Sequence, residues 1–259
     1  MILWPIHLWM GFLLFVRYTR GMRLHRFFVE NDFSRQPLII ADKELYNQIK
    51  NVLRLRVGSE IVLVNVKSEE AHALIIGLAK NGVEVKLLSV SMNASEPKRQ
   101  VVLYCAILKN EHFELATQKA VEVGVSEIVP ILTARTVKTN LKEARLKKIM
   151  KEAAEQSGRG IIPKLHPTLE LANAFVHTWQ NQKNILLDKS GEDLSILLTE
   201  AKKNNQMQRL GIFIGPEGGF APEEVEQARK AGFAIASLGS LILRAETAAI
   251  VTSYFVLHG

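Results

Sequence analysis

Near the C-terminus, "SLGSLILRAETAAIVTSYF" (237–255) sets Arg244 and Glu246 between the apolar run Leu241-Ile242-Leu243 and a series of small residues. An arginine there could grip a phosphate or a base, and the glutamate could orient it. A structural ion pair or a pair at a dimer interface is the competing reading. Upstream, "GIFIGPEGGF" (211–220) describes a buried strand that ends at Gly215. Pro216 fixes a turn, and Gly218 and Gly219 permit positive φ and close approach of the backbone to a ligand. Pro222 suits the first position of a helix, Glu223 and Glu224 suit the positive end of its dipole, and Gly232 suits its stop. Strand, glycine loop, helix is the arrangement in which α/β folds bind ligands at the carboxyl ends of strands. No Gly-Lys-Ser/Thr follows, and the glycine spacing is not that of a dinucleotide fingerprint. A tight turn without a ligand is the alternative. The segment "SLGSLILRAETAA" also follows a strand-like stretch, "FAIAS". Two such loops would form adjacent walls of one pocket, with Arg244 and Glu246 at its rim.

A third stretch, "EAAEQSGRGIIPKLHP" (152–167), reads as a helix end. Its polar residues could cap the helix, or Arg159 could contact phosphate. The basic run "KEARLKKIMK" before it reads as a solvated face. The histidines are scattered, with no pair at metal-ligand spacing on a helix, so no metal is expected. Cys105 is the only cysteine. It excludes an intrachain disulfide and, within "VVLYCAIL", reads as a small core residue.

These loops need elements to hold them. The chain has 259 residues and a formal net charge of +7, which points to a polyanionic partner, nucleic acid before membrane. The apolar run 1–16 is shorter than the ~20 residues of a membrane span. It contains Pro5 and His7 and lacks a basic start. Residues 1–21 read as an atypical extension from a misassigned start, ahead of a signal peptide or weak anchor. Residues 22–92 hold five short strand candidates and one helical piece over 42–51, a pattern that suggests a small β-barrel. The polar stretch 91–100 reads as a linker. Over 98–259, apolar strands alternate with helical patterns at 111–123, 141–157, 169–180, 194–203 and 222–231. That alternation argues for a parallel sheet covered on both faces.

In this order, "HRFFV", "VLRLRVGSEI", "TQKAVEVGVSEIVPI", "EAAEQSGR", "IGPEGGF" and "LGSLILRAETAA" resemble the ribosomal RNA small subunit methyltransferase E family of the SPOUT superfamily. The resemblance spans 22–259. It implies an α/β fold, with a trefoil-knotted SPOUT methyltransferase domain preceded by a small PUA-like β-barrel that binds RNA. It further implies a cytoplasmic homodimer, without metal or stable membrane partner. Such an enzyme uses S-adenosyl-L-methionine to methylate N3 of a particular uridine in the 16S rRNA of the 30S subunit. Carried residue by residue, the resemblance assigns cofactor binding to Leu187, Gly215, Glu217, Gly218, Leu238, Ile242 and Leu243. It assigns catalysis to Arg244 and Glu246, both facing the substrate, and RNA contact to Arg26 and Arg159. Lys/Arg–phosphate attraction adds Arg54 as an RNA contact and Arg23, Arg56, Arg135 and Lys138 as further phosphate candidates. The chain departs from the family at Leu241, where a basic residue is common, and at Gln48, near a common histidine. "NVKSEE" (65–70) lacks the usual Asp-Gly turn. A SPOUT ribose 2′-O-methyltransferase and a non-enzymatic RNA-binding assembly factor remain alternatives.

Overall fold

The computed structural model describes residues 24–34, 36–80, 82–109, 111–137, 139–203 and 208–259. The extension 1–21, Met22, Arg23, Asn81 and Lys138 lie outside them.

The N-terminal sheet contains β1 (His25–Phe28), β2 (Leu38–Ile40), β3 (Glu60–Val64), β4 (Glu69–Ala79) and β5 (Gly82–Met92). Its order is β1-β3-β4-β5-β2. β1 runs parallel to β3, and the other pairings are antiparallel. Alternation decides which side chains turn inward. Leu38 and Ile40 are buried while Ile39 is exposed. Inward residues from every strand, among them Phe27, Ile40, Leu63, Ile75 and Val85, meet in one core. The expected helix over 42–51 is interrupted. Asp42 caps α1 (Lys43–Asn47) by accepting the Glu44 and Leu45 N–H groups, and a single π turn, Gln48–Val52, follows. Leu45 and Ile49 share its buried face. The turn after β3 needs no Asp-Gly. Buried Asn65 accepts the Lys67 and Glu69 N–H groups through Oδ1, and Ser68 adopts φ 59°.

The second sheet comprises β6 (Gln100–Ala106), β7 (Glu127–Leu132), β8 (Lys164–Leu165), β9 (Leu169–Glu170), β10 (Lys183–Asp193), β11 (Arg209–Ile214) and β12 (Ala234–Ser237). Its order is β12-β10-β11-β6-β7-β8, β9 also pairs with β7, and every pairing is parallel. The helices are α2 (His112–Val123), α3 (Glu143–Ser157), α4 (Leu171–His177), α5 (Leu194–Lys203), α6 (Pro222–Lys230) and α7 (Ala245–His258). Strand β6 shows why its run is continuously apolar. Val101, Leu103 and Cys105 enter a core with Ala116 of α2, Met150 of α3 and Ala249 of α7. Val102, Tyr104 and Ala106 enter the opposite core with Ala174 of α4 and Ala228 of α6. There Tyr104 stacks on Phe213 at 4.2 Å between ring centroids. A sheet buried on both faces leaves no polar position in its middle strands. The expected helix over 169–180 is shorter: β9 takes its first residues, and a 3-10 turn, Thr178–Gln180, ends it. The linker is also shorter, 93–99, because β5 runs on to Met92 and β6 starts at Gln100.

That linker carries the joint between the sheets. Glu96 receives Arg159 Nε and Nη2 at 3.2 and 2.7 Å, and its Oε1 also accepts the Gly160 and Ile161 N–H groups. Arg159 Nη1 donates to the Val121 and Val125 carbonyls. The arginine side chain is 4% exposed. This corrects the expected RNA contact: the guanidinium faces the interior, between the end of α2 and the linker. Nearby, Asn93 donates to Glu70 and to the Gly158 carbonyl, and Arg26 pairs with the same Glu70 at 2.7 Å. A Cβ on Gly160 would stand 2.7 Å from Asn93. Glu155 of α3 accepts the Phe28 N–H, joining α3 to β1.

Removing the arginine would leave a half-buried carboxylate and two carbonyls without their donor. Arg159→Met is expected to lower unfolding stability by about 3–5 kcal/mol in urea titration. An unchanged midpoint would show that this cluster does not hold the joint.

Candidate active site

Because the strands are parallel, β6, β7, β10, β11 and β12 all end at one edge of the sheet. The loop after β11 packs closely on itself. Gly215 is buried, and a Cβ on it would meet the Phe220 nitrogen and ring at 3.1 Å. The Gly219 N–H closes the turn on the Pro216 carbonyl with φ 68°, a conformation that glycine adopts without strain. Three contacts brace this loop. Glu217 Oε1 accepts the Lys109 N–H at 2.8 Å, Arg135 Nη1 donates to the Gly218 carbonyl at 2.7 Å, and Glu224 Oε1 accepts the Ala134 N–H at 2.8 Å. Glu224 Oε2 also accepts the Ala221 N–H at the start of α6. The glycine loop is therefore fixed to the loops that follow β6 and β7.

The second wall is the loop from β12 to α7. Gly239 turns it with φ 101°. Leu241 and Leu243 are exposed, and Ile242 is 93% exposed. These apolar side chains are thus set together in the open on a loop beside a glycine turn. Leu187 ends the first part of β10 opposite Ala236, where the register with β12 shifts. Leu187 and Leu238 are half-buried against the core of α2, α3 and α7. Gly191 passes the Ile235–Ala236 backbone so closely that a Cβ would stand 2.5 Å from it.

Arg244 and Glu246 part company at the helix start. Arg244 occupies the N-cap of α7 in extended backbone and is exposed. Glu246 lies in the first turn, where the helix dipole favours a carboxylate, and its side chain is 9% exposed. It turns inward, with Oε1 3.1 Å from His112 Nδ1 at the start of α2. The expectation that both face a substrate is thus corrected for Glu246, whose side chain is directed at α2. Cys105, at the end of β6, is not a nucleophile. Burial pushes its thiol up to about 12, and the carboxylates Glu217 and Glu246 add to the effect.

Among the expected RNA contacts, Arg54 and Arg56 are exposed beyond the π turn, and Arg54 holds φ 55°, an unusual conformation for a residue with a side chain. Arg26 is mostly covered and paired with Glu70. Arg135 is exposed but braces Gly218. Lys109 and His112 were not legible as parts of this region, and Glu224 was legible as a helix-start residue but not as the acceptor of the Ala134 N–H. Lys109 contributes a main-chain N–H, for which side-chain type gives no signal. His112 could have been found as the residue that follows a third strand-end loop, "LKNEHF". Among the described residues no His, Cys, Asp and Glu cluster could hold a metal, and no helix is long and apolar enough to cross a membrane.

Residues 95–256 match the family model of an RNA methyltransferase domain, and 41–88 match an RNA methyltransferase PUA domain. The chain is 35% identical over 238 residues to the ribosomal RNA small subunit methyltransferase E of Mesomycoplasma hyopneumoniae, covering 88% of this chain and 96% of the relative. The solved structure of the protein of that name from Neisseria gonorrhoeae, bound to S-adenosyl methionine, superposes with a TM-score of 0.80 at 28% identity, covering 89% of this chain and 95% of that one. A putative methyltransferase from Legionella pneumophila, in complex with the same cofactor, gives 0.79 at 31% identity, covering 91% and 97%. A chain with this sheet, these two loops and these relatives belongs to the ribosomal RNA small subunit methyltransferase E family.

Proposed function

We propose that the protein transfers a methyl group from S-adenosyl-L-methionine to N3 of a uridine in the 16S rRNA of the 30S subunit, acting as a cytoplasmic homodimer. The observation that carries this reading is the pairing of a braced glycine loop with a loop that exposes Ile242 and presents Arg244.

The residues fit the cofactor. Gly218 and Gly219 leave main chain uncovered: a Cβ on Gly219 would meet nothing within 4 Å, and one on Gly218 would meet only Arg135. Ile242, Leu243, Leu187 and Leu238 offer apolar surface to an adenine ring or an aliphatic chain. Gly215 and Glu217 hold the loop in shape, Glu217 through Lys109. When bound, the sulfonium supplies the activated methyl group, and the protein supplies position. Arg244 stands exposed at the mouth, able to donate to a uracil carbonyl oxygen and stabilise charge as the N3 proton passes to solvent water and N3 takes the methyl group. N3 lies on the pairing edge, so the base must be unpaired or flipped out. Glu246 serves the site by holding the start of α7.

We read 22–92 as the RNA-binding part, 98–259 as the methyltransferase part, and "ILRAETAA" (242–249) as the knotted segment. Arg54 and Arg56 extend the site toward phosphate. Exposed Tyr254 and Phe255 on α7, with Leu115 on α2, supply apolar surface for a second copy.

Incubation with 30S subunits lacking the modification and methyl-labelled S-adenosylmethionine, followed by nucleoside analysis, is expected to place label in 3-methyluridine. Label in a 2′-O-methyl nucleoside would overturn the proposed position. Arg244→Ala is expected to slow single-turnover methylation by about 100- to 1,000-fold while leaving cofactor affinity within about twofold. Retained turnover would remove Arg244 from the chemistry. Gly219→Val forces strain of roughly 1–2 kcal/mol onto the glycine loop and is expected to weaken cofactor binding roughly tenfold by calorimetry.

A further inference from the structure

Glu246 presents a physical problem that its neighbours answer in one way. A carboxylate this covered needs a counter-charge or donors, because desolvation disfavours the charged form. Arg244, two residues earlier, is the obvious candidate, but it sits outside the helix and is exposed. The salt-bridge partner of Glu246 among the described residues is His112, the first residue of α2. The two helices pack against one another along their length. The pair thus joins their first turns, at the edge of the sheet where the functional loops lie. Its two ends are unequal: Glu246 is 9% exposed, whereas His112 is 39% exposed and borders an open groove with Glu111, Glu114, Leu115, Gln118 and Ile149.

We infer that His112 is a positioning residue for methyl transfer: its ring nitrogen holds Glu246, and through the first turn of α7 it sets the direction in which Arg244 points. This rests on the proposed role of Arg244 at the substrate. The β6–α2 loop is fixed from both sides, by Glu217 on the Lys109 N–H and by Glu246 on His112. One short segment therefore ties the glycine loop to the helix that begins at Arg244, and sets the distance between the two walls of the site.

The test compares single-turnover methylation of 30S subunits by wild type, His112→Gln and His112→Lys, with cofactor affinity and thermal midpoint measured in parallel. His112→Gln is expected to lose about tenfold in rate, with cofactor affinity unchanged. His112→Lys is expected to restore the rate, because lysine keeps a donor opposite Glu246. The inference is overturned if the glutamine variant matches wild type in rate. It is also overturned if the lysine variant is inactive, an outcome that would make His112 a proton acceptor, or if both variants lose cofactor affinity and thermal midpoint together. The proposed reaction fails separately, if the wild-type product is not 3-methyluridine.

Discussion

Helix α7 begins beyond the edge strand β12 yet packs at the middle of the sheet, on β6, β11 and α2. This one constraint shapes the site. The segment 238–244 has to travel from the edge to the centre across the ends of the strands, and it crosses where the glycine loop already stands. Its side chains cannot all turn inward on such a path. Leu241, Ile242 and Leu243 remain exposed although every one is apolar. The small residues of α7 permit the close docking that makes the return possible: Ala249 is fully buried against the core of α2 and β6, and Ala248 packs at its margin.

A site built from loops is only as well defined as the contacts between them. Here those contacts are charge-assisted hydrogen bonds to main chain; Arg135 donates one to the Gly218 carbonyl, and the others run outward from acidic side chains. Glu217 reaches Lys109, Glu224 reaches Ala134 and Ala221, and Glu96 reaches Gly160 and Ile161. A carboxylate that accepts an N–H fixes backbone without occupying the space a ligand needs. The glycine loop can therefore remain open at Gly218 and Gly219 while it is braced on its protein side.

Much of this was legible in the sequence, for identifiable reasons. The parallel sheet announced itself through runs such as "VVLYCAIL" and "LGIFIG", since strands buried on both faces admit no alternation. The glycine loop and its helix start were legible because Pro222, Gly219 and Gly232 answer backbone requirements that few other residues meet. Two kinds of feature were hidden. The helical piece over 42–51 has a continuous apolar face, and periodicity alone does not separate an α turn from the π turn that follows Asn47. The direction of an ion-forming side chain was hidden as well. Arg159 and Glu246 each stand in a motif rich in charge and glycine, where exposure is the ordinary expectation. Each is turned inward by a partner far away in sequence, Glu96 and His112.

The same lesson bears on charge. A net +7 invites the view that the arginines form one RNA-binding surface. Several are instead structural. Arg159 and Arg26 hold the joint between the sheets, and Arg209 secures the amino ends of the strands through Glu127 and Asn181. Burial works to raise the Glu127 carboxyl, but Arg209 and His166 outweigh it and hold it below the usual range. Charge at that end of the sheet is neutralised in place. At the carboxyl end, Arg244 is left exposed, while Arg54 is held at an unusual backbone angle on the N-terminal sheet's rim. Electrostatic steering of an RNA depends on charges that remain free in the folded protein, and these are a smaller and more directed set than composition suggests.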